Sequence, residues 1–272
     1  MTDVGFATYT LGASSTGVAA YARGEIAWED IALNAPVVEH VPPGEDVAFR
    51  LVAGDVPSAF EMTTSLPGSI AGVPVGSTYY LELWTSDIGF LNTGVTSAYV
   101  DLSWDAAISS AMSIDHGTIY VFFTSGAIAA GFIDELGGST FSAVGIEPEW
   151  ARVAVVELTA DTEGIVTYAL GESSTGVSAL GRGVIPWDLV SLDVVATQHF
   201  LDCNDNGIPD DQDILDGTSE DCDGNGVPDE CQADSDGDGL IDVCDLCPDD
   251  PDKTDPGVCG CGAADTDSDG DG

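Results

Sequence analysis

The sequence predicts an all-β protein, an antiparallel, jelly-roll-like sandwich followed by an extended repeat tail. Three observations carry that reading. Residues 34–200 hold short β-branched and aromatic runs punctuated by Gly, Ser, Asp and Pro, without a long amphipathic helical period. All seven cysteines lie at or beyond position 203. Between position 202 and the last residue, acids recur at one-residue spacing around glycines, as in Asp234-Ser-Asp236-Gly-Asp238-Gly.

The clearest strands are Ser77–Trp84, Thr96–Trp104, Thr118–Thr124 and Trp150–Ala160, bounded by turn chemistry such as Thr93-Gly94, His116-Gly117 and Gly137-Gly138. Polar and apolar residues partly alternate in AYVDLSW and RVAVVEL, as strands with one face in a core require. The alanine-rich piece Asp105–Met112 predicts one helical turn at most. Pro42-Pro43-Gly44 and the interval from Pro57 to Pro74 mark 34–75 as a connector with early strands. Many short strands and no helical alternation argue for a sandwich.

An internal repeat organises the chain. Residues 5–33 and 164–192 match at 16 of 29 positions at an offset of 159, sharing Ser-Ser-Thr-Gly-Val and Arg-Gly-x-Ile-x-Trp. Residues 1–33 thus read as the C-terminal strands of a truncated preceding module, 34–75 as the connector, 76–200 as the sandwich and 201–272 as the tail. The start lacks a signal-like segment, and the end falls inside an acidic loop. The expectation is a fragment of a longer multidomain protein, its signal peptide lost with the missing part.

Charge narrows the partners. There are 48 acids against five bases, a net of −43, and from Leu201 onward 24 acids face only Lys253. Such a surface repels nucleic acid and anionic lipid, so neither is an expected partner. The apolar run Gly117–Ile133 is broken by Thr124-Ser125-Gly126 and flanked by His116 and Asp134, which excludes membrane insertion there.

The plausible charged partners are cations. A calcium ion takes six to eight oxygens, and a twelve-residue loop supplies them from positions 1, 3, 5, 9 and 12 and the carbonyl of 7, with glycine at 6. The first loop offers Asp202, Asn204, Asn206, the Ile208 carbonyl, Asp210 and Asp213. The second offers Asp221, Asp223, Asn225, the Val227 carbonyl and Asp229, but has Gln232 at position 12. The third is complete, with Asp234, Asp236, Asp238, the Leu240 carbonyl, Asp242 and Asp245. A fourth begins at Asp267, Asp269 and Asp271. These residues are the expected metal ligands, for several structural calcium ions.

Cysteines clustered in a segment this poor in apolar residues suggest disulfide staples in an oxidising compartment. Zinc is the rival reading. Cys244-x-x-Cys247 is a zinc half-site, but Cys259-x-Cys261 has the wrong spacing for its mate.

Resemblance adds to this. Asp234–Gly272, with DSDGDGLIDVCDLCPDDPDKTDPGVCGCG and then DTDSDGDG, resembles bacterial thrombospondin type 3 repeats. DCNDNGIPDDQD and DCDGNGVPDEC resemble related calcium repeats of large secreted proteins of planctomycete-like bacteria. The first unit also looks like half of a dockerin, from which it departs in lacking a long second helix. Residues 76–192 resemble a cohesin-type module of the carbohydrate-binding β-sandwich superfamily, on GSTYYLELWTSD, SAYVDLSWDAA and EWARVAVVELTADTEGIVTYAL. That resemblance implies a nine-stranded jelly roll with a binding or scaffolding role.

No catalytic constellation emerges. Ser-Ser-Thr-Gly-Val lacks the Gly-x-Ser-x-Gly elbow and reads as a turn between strands. His40, His116 and His199 read as surface or linker residues, and Trp28, Trp84, Trp104, Trp150 and Trp187 as structural. Among Asp134, Glu135, Glu147 and Glu149 no carboxylate pair stands out. The expected function is therefore non-catalytic: a secreted or cell-surface sandwich on a calcium-dependent stalk, binding a glycan or a protein. The alternative is the accessory region of a secreted polysaccharide-degrading enzyme.

Overall fold

The computed structural model describes residues 18–20, 24–26 and 45–265. The chain divides into two compact units, Met1–Glu45 and Asp46–Gly272. Of the first, two strands are described, β1 (Val18–Ala20) and β2 (Gly24–Ile26), paired antiparallel.

The second unit contains a sandwich of two sheets. Sheet I holds β5 (Gly72–Pro74), β7 (Val95–Ser103), β9 (Phe122–Ala129), β10 (Phe132–Val144), β12 (Gly164–Ala179), β13 (Gly183–Ile185) and β15 (Val194–Phe200). Its order is β5-β15-β12-β7-β10-β9, with β13 on the far half of β12. Sheet II holds β3 (Val47–Gly54), β4 (Met62–Thr63), β6 (Thr78–Asp87), β8 (Ser109–Asp115), β11 (Trp150–Ala160) and β14 (Val190–Ser191). Its order is β14-β3-β6-β11-β4, with β8 also on β11.

β12 alternates in burial, whereas β3, β6 and β11 are buried almost continuously, and a shared core explains why these segments pack together. Phe49 and Leu51 of β3, Tyr79, Leu81 and Leu83 of β6, Val156 and Leu158 of β11, Val100 and Leu102 of β7, and Val166 and Tyr168 of β12 share one core. Each large side chain removed from water there contributes about 1.5–3 kcal/mol.

Several expectations need correction. The two sheets hold thirteen strands, not nine, because short edge strands such as β4 and β14 extend them. Pairing is antiparallel except for β14 with β3 and β15 with β5, which are parallel. β3 pairs with β6 along its whole length, so the sandwich starts well before residue 76. Asp105–Met112 forms a turn and then enters β8, and Thr118–Thr124 enters a strand only at Phe122.

Ser173–Val177 is not a turn between strands. It is a bulge within β12, where the register to β7 shifts between Glu172 and Val177. Ser173 Oγ donates to the Tyr99 carbonyl and accepts the Gly176 N–H, 3.0 Å away, and Gly176 takes φ +79°. Glu135, itself at φ +57° in a bulge of β10, closes this site by accepting the N–H groups of Ser174 and Thr175. Burial pushes the Glu135 carboxyl up, but hydrogen bonds from the side chains of Ser174 and Thr175, then from their N–H groups, outweigh it and hold it below the usual range.

The sequence repeat is also a repeat of register. In the β12–β13 hairpin Val177 faces Ile185, Ser178 faces Val184 and Ala179 faces Gly183. In β1–β2, Val18 faces Ile26, Ala19 faces Glu25 and Ala20 faces Gly24, every pair displaced by the same 159 residues. Trp28 and His40 lie outside the described residues.

His199 is fully buried, which corrects its reading as a surface residue. Its Nδ1 lies 3.2 Å from the carbonyls of both Ile108 and Thr162, which makes that nitrogen the donor and leaves Nε2 to accept from Tyr79 Oη at 2.9 Å. Tyr168 Oη donates to Ser109 Oγ, which donates to the Thr159 carbonyl, and the two tyrosine hydroxyls touch. This cluster ties both sheets to the strand that leads into the tail.

Tyr79→Phe leaves His199 Nε2 without its donor, so denaturant unfolding should show a loss of about 1–3 kcal/mol. Burial holds His199 below its ordinary 6.5, against the opposing pull of the Thr162 and Ile108 carbonyls. The unfolded chain therefore binds the proton first as pH falls, and stability should decline from about pH 6.5 downward. That decline should shrink in His199→Gln, and an unchanged profile in that variant would contradict the assignment.

Candidate metal centre

The tail repeats one loop geometry three times. The carboxylate at position 1 accepts the N–H of the glycine at position 6: Asp202 from Gly207 at 2.9 Å, Asp221 from Gly226 at 3.0 Å and Asp234 from Gly239 at 3.1 Å. These glycines take φ of +86°, +84° and +99°, which only glycine adopts at low cost. The side-chain oxygen at position 5 accepts the N–H of position 7 in Asn206, Asn225 and Asp238. The sequence therefore folds each loop around its own acids and amides.

The acids at position 9 also make contacts within their loops. Asp210 accepts the Cys203 N–H, Asp229 the Cys222 N–H, and Asp242 both the N–H and the hydroxyl of Ser235. These acids fasten position 9 to position 2, and the N–H of each bonds back to the residue before its loop. Asp210 opens α1 (Asp210–Asp216), a helix of two turns.

The loop centres diverge. In the first, the amides of Asn204 and Asn206 donate to Asp213 Oδ2, the latter at 2.6 Å, and Thr218 adds its hydroxyl. Hydrogen bonds from Thr218, then Asn206, hold the Asp213 carboxyl below its usual range. In the second, Gln232 accepts from Asn225 at 2.9 Å and donates to the Val227 carbonyl at 3.1 Å, so an amide engages the carbonyl expected as a ligand. Asp221 is held low by the N–H of Gly226.

The third loop has no such internal neutralisation. One oxygen from each of Asp234, Asp236 and Asp238 lies within 4.8 Å of the others. Asp236 Oδ2 and Asp245 Oδ2 are buried without a hydrogen-bond partner. Burial, then the charges of Asp238, Asp245 and Asp234, push the Asp236 carboxyl up. A hard divalent cation is what this donor set fits: converging carboxylates of Asp234, Asp236 and Asp238, an orphaned oxygen on each of Asp236 and Asp245, and no side-chain amide or base to offset them. Asp267, Asp269 and Asp271 lie outside the described residues.

Disulfides join the loops in a regular order. Cys203, at position 2 of the first, bonds Cys231, at position 11 of the second. Cys222, at position 2 of the second, bonds Cys244, at position 11 of the third. Cys247 bonds Cys261, so the zinc half-site is divided between two bridges. Cys259 is free and exposed. Lys253 anchors the last turn through Asp265 and the carbonyls of Pro256 and Gly260.

One surface feature escaped the sequence reading. Phe123 is 84% exposed and Phe141 83%, and Phe122 packs on Phe141 with ring centroids 3.9 Å apart. Phe123 also takes φ +51°, a costly conformation for an aromatic residue whose side chain gains no burial. Adjacent phenylalanines in a strand break alternation, and that is the signal that marks them.

No family model matches the chain, and no curated protein matches it. Among solved structures it is similar to a cohesin module of a family 33 glycoside hydrolase from Clostridium perfringens, at 15% identity over 58% of this chain and 99% of that one, TM-score 0.37. A type I cohesin–dockerin complex from Clostridium thermocellum contains a chain similar at 10% identity over 56% and 99%, TM-score 0.39. The seventh ScaB type I cohesin from Pseudobacteroides cellulosolvens matches at 10% identity over 60% and 98%, TM-score 0.37.

Each bridge closes a span of 28, 22 or 14 residues. Chain entropy alone assigns the longest about 3–4 kcal/mol. Replacing Cys203 and Cys231 together by serine should expose the tail to limited proteolysis while leaving the thermal transition of the sandwich in place. Loss of the sandwich transition would refute this independence.

Proposed function

We propose that the chain is a non-catalytic binding module of a secreted or cell-surface protein, a β-sandwich carried on a calcium-dependent structural stalk. The observation that carries this reading is the third loop, whose orphaned Asp236 and Asp245 oxygens sit in uncompensated negative charge. A calcium ion would supply the missing positive charge through Asp234, Asp236, Asp238 and Asp245. The first loop would exchange its amide–carboxylate bonds for the ion, and the second would bind it more weakly because of Gln232. Ion binding then contributes folding free energy to a segment with almost no core. Three disulfides support an oxidising, extracellular setting.

For the sandwich, the reading is a protein partner that presents apolar side chains flanked by Lys or Arg. The exposed phenylalanines supply the apolar contact. Each basic side chain among the described residues is already held by protein groups: Arg50 by Phe49 and Ser191, Arg152 by Glu82, Arg182 by Asp46 and Asp87, Lys253 by Asp265. The unbalanced acids are left to attract a cationic partner.

Adding calcium to the chelator-treated chain should shrink its hydrodynamic radius and change its circular dichroism, with half-saturation of about 10⁻⁴–10⁻³ M. Asp236→Asn should remove one binding equivalent in titration calorimetry. A radius indifferent to millimolar calcium would sink the stalk reading. An immobilised Leu/Lys amphipathic peptide should retain the chain at low salt, and Phe123→Ser with Phe141→Ser should abolish retention although charge is unchanged. Signal on a glycan array without such retention would favour a sugar ligand instead.

A further inference from the structure

Five asparagines occur in the chain, and two of them, Asn206 and Asn225, precede glycine. Both sit at position 5 of a tail loop. Glycine places no Cβ beside its nitrogen, so an Asn-Gly pair is the arrangement in which that nitrogen reaches the preceding side-chain carbonyl with least hindrance.

We propose that Asn206–Gly207 and Asn225–Gly226 are sites of spontaneous deamidation, held in check by closure of their loops. In the reaction, a solvent base removes the glycine N–H proton and the nitrogen attacks the asparagine Cγ. A C–N bond forms, the Cγ–Nδ2 bond breaks, and the amide nitrogen leaves as ammonia. Water then opens the cyclic imide at either carbonyl, leaving an aspartate or an isoaspartate at that position.

Each closed loop obstructs this step at three points. The Gly207 N–H donates to the Asp202 carboxylate at 2.9 Å and the Gly226 N–H to Asp221 at 3.0 Å, so the proton that must leave is bound by a negative charge. Asn206 Oδ1 accepts from Ile208 at 2.7 Å and Asn225 Oδ1 from Val227 at 2.8 Å, so the side-chain carbonyl is tethered and cannot turn freely toward attack. The amide ends are fixed as well, Asn206 Nδ2 on Asp213 at 2.6 Å and Asn225 Nδ2 on Gln232 at 2.9 Å.

The third loop has the product of this chemistry in place, since its position 5 is Asp238 followed by Gly239. Conversion to aspartate would move either earlier loop toward that all-carboxylate centre; this consequence, unlike the reaction, rests on the calcium reading above.

The test is peptide mapping by mass spectrometry of the full chain held at mildly alkaline pH in chelator, following the mass gain from exchange of NH₂ for OH. Both sites should convert slowly in the folded chain and roughly tenfold or more faster in urea under reducing conditions. Asp202→Ala should accelerate position 206 and not 225, and Asp221→Ala the reverse. Asp202→Asn, which keeps an acceptor for the Gly207 N–H, should fall between the native chain and Asp202→Ala. Equal rates in folded and denatured chains would overturn the proposal, and so would equal acceleration of both sites by either alanine variant.

Discussion

With 48 carboxylates and only five bases, most acids in this chain cannot be neutralised by an ammonium or a guanidinium, and backbone N–H groups, hydroxyls and side-chain amides are the donors left to them. Asp87 accepts from Gly89, Thr93 and Gly94 before Arg182 reaches it. Glu61 accepts from Thr118, Glu135 from Ser174 and Thr175, and Asp202, Asp221 and Asp234 from the glycines of their loops. Each bond localises an acid and also dictates where the backbone turns. Turn geometry and charge compensation are therefore one constraint, and the bulges and loops are where it is met.

Two of the few bases stand beside shielded acids and add to the backbone donors already there. Arg152 joins Glu82 and Glu61 beneath the segment that crosses sheet II, with its guanidinium 5.8 Å from the Trp84 ring. Arg182 clamps the β12–β13 hairpin to the end of β6 and the start of β3 through Asp87 and Asp46. Buried acids of this kind persist only when paired and hydrogen-bonded. The contrast with Asp236 and Asp245, each of which has one backbone N–H on Oδ1 and a shielded Oδ2 with no partner, is what gives the third loop its distinct character.

How much was legible depends on whether a signal is local. β11 follows Trp150–Ala160 because its β-branched and apolar run is carried by adjacent residues. The loop positions were legible because one-residue spacing and glycine fix them in a stretch of twelve. Ser173–Val177 misled because its serines and glycine are turn chemistry, while the bulge that uses them is imposed by β7 and by Glu135, some 40 residues away. His199 carries no sequence mark of burial; Tyr79, 120 positions earlier, supplies its partner. Spacing marked the ninth-position acids as expected ligands but did not show that each also holds the position 2 N–H. Gln232 was legible as a weakness, but its grip on the Val227 carbonyl was not.

The bridges have a mechanical meaning. Cys222 precedes Cys231, so the spans closed by Cys203–Cys231 and Cys222–Cys244 overlap and do not follow one another. Tension applied along the tail passes from Cys203 across the first bridge, back along the short segment between Cys231 and Cys222, and out through Cys244. The first loop and most of the third lie off that load path, and pulling cannot unravel them while the covalent shunt is intact. A tail built this way is nearly inextensible over its first two bridged spans: most of the second loop carries the load, while the first and third are shielded from it.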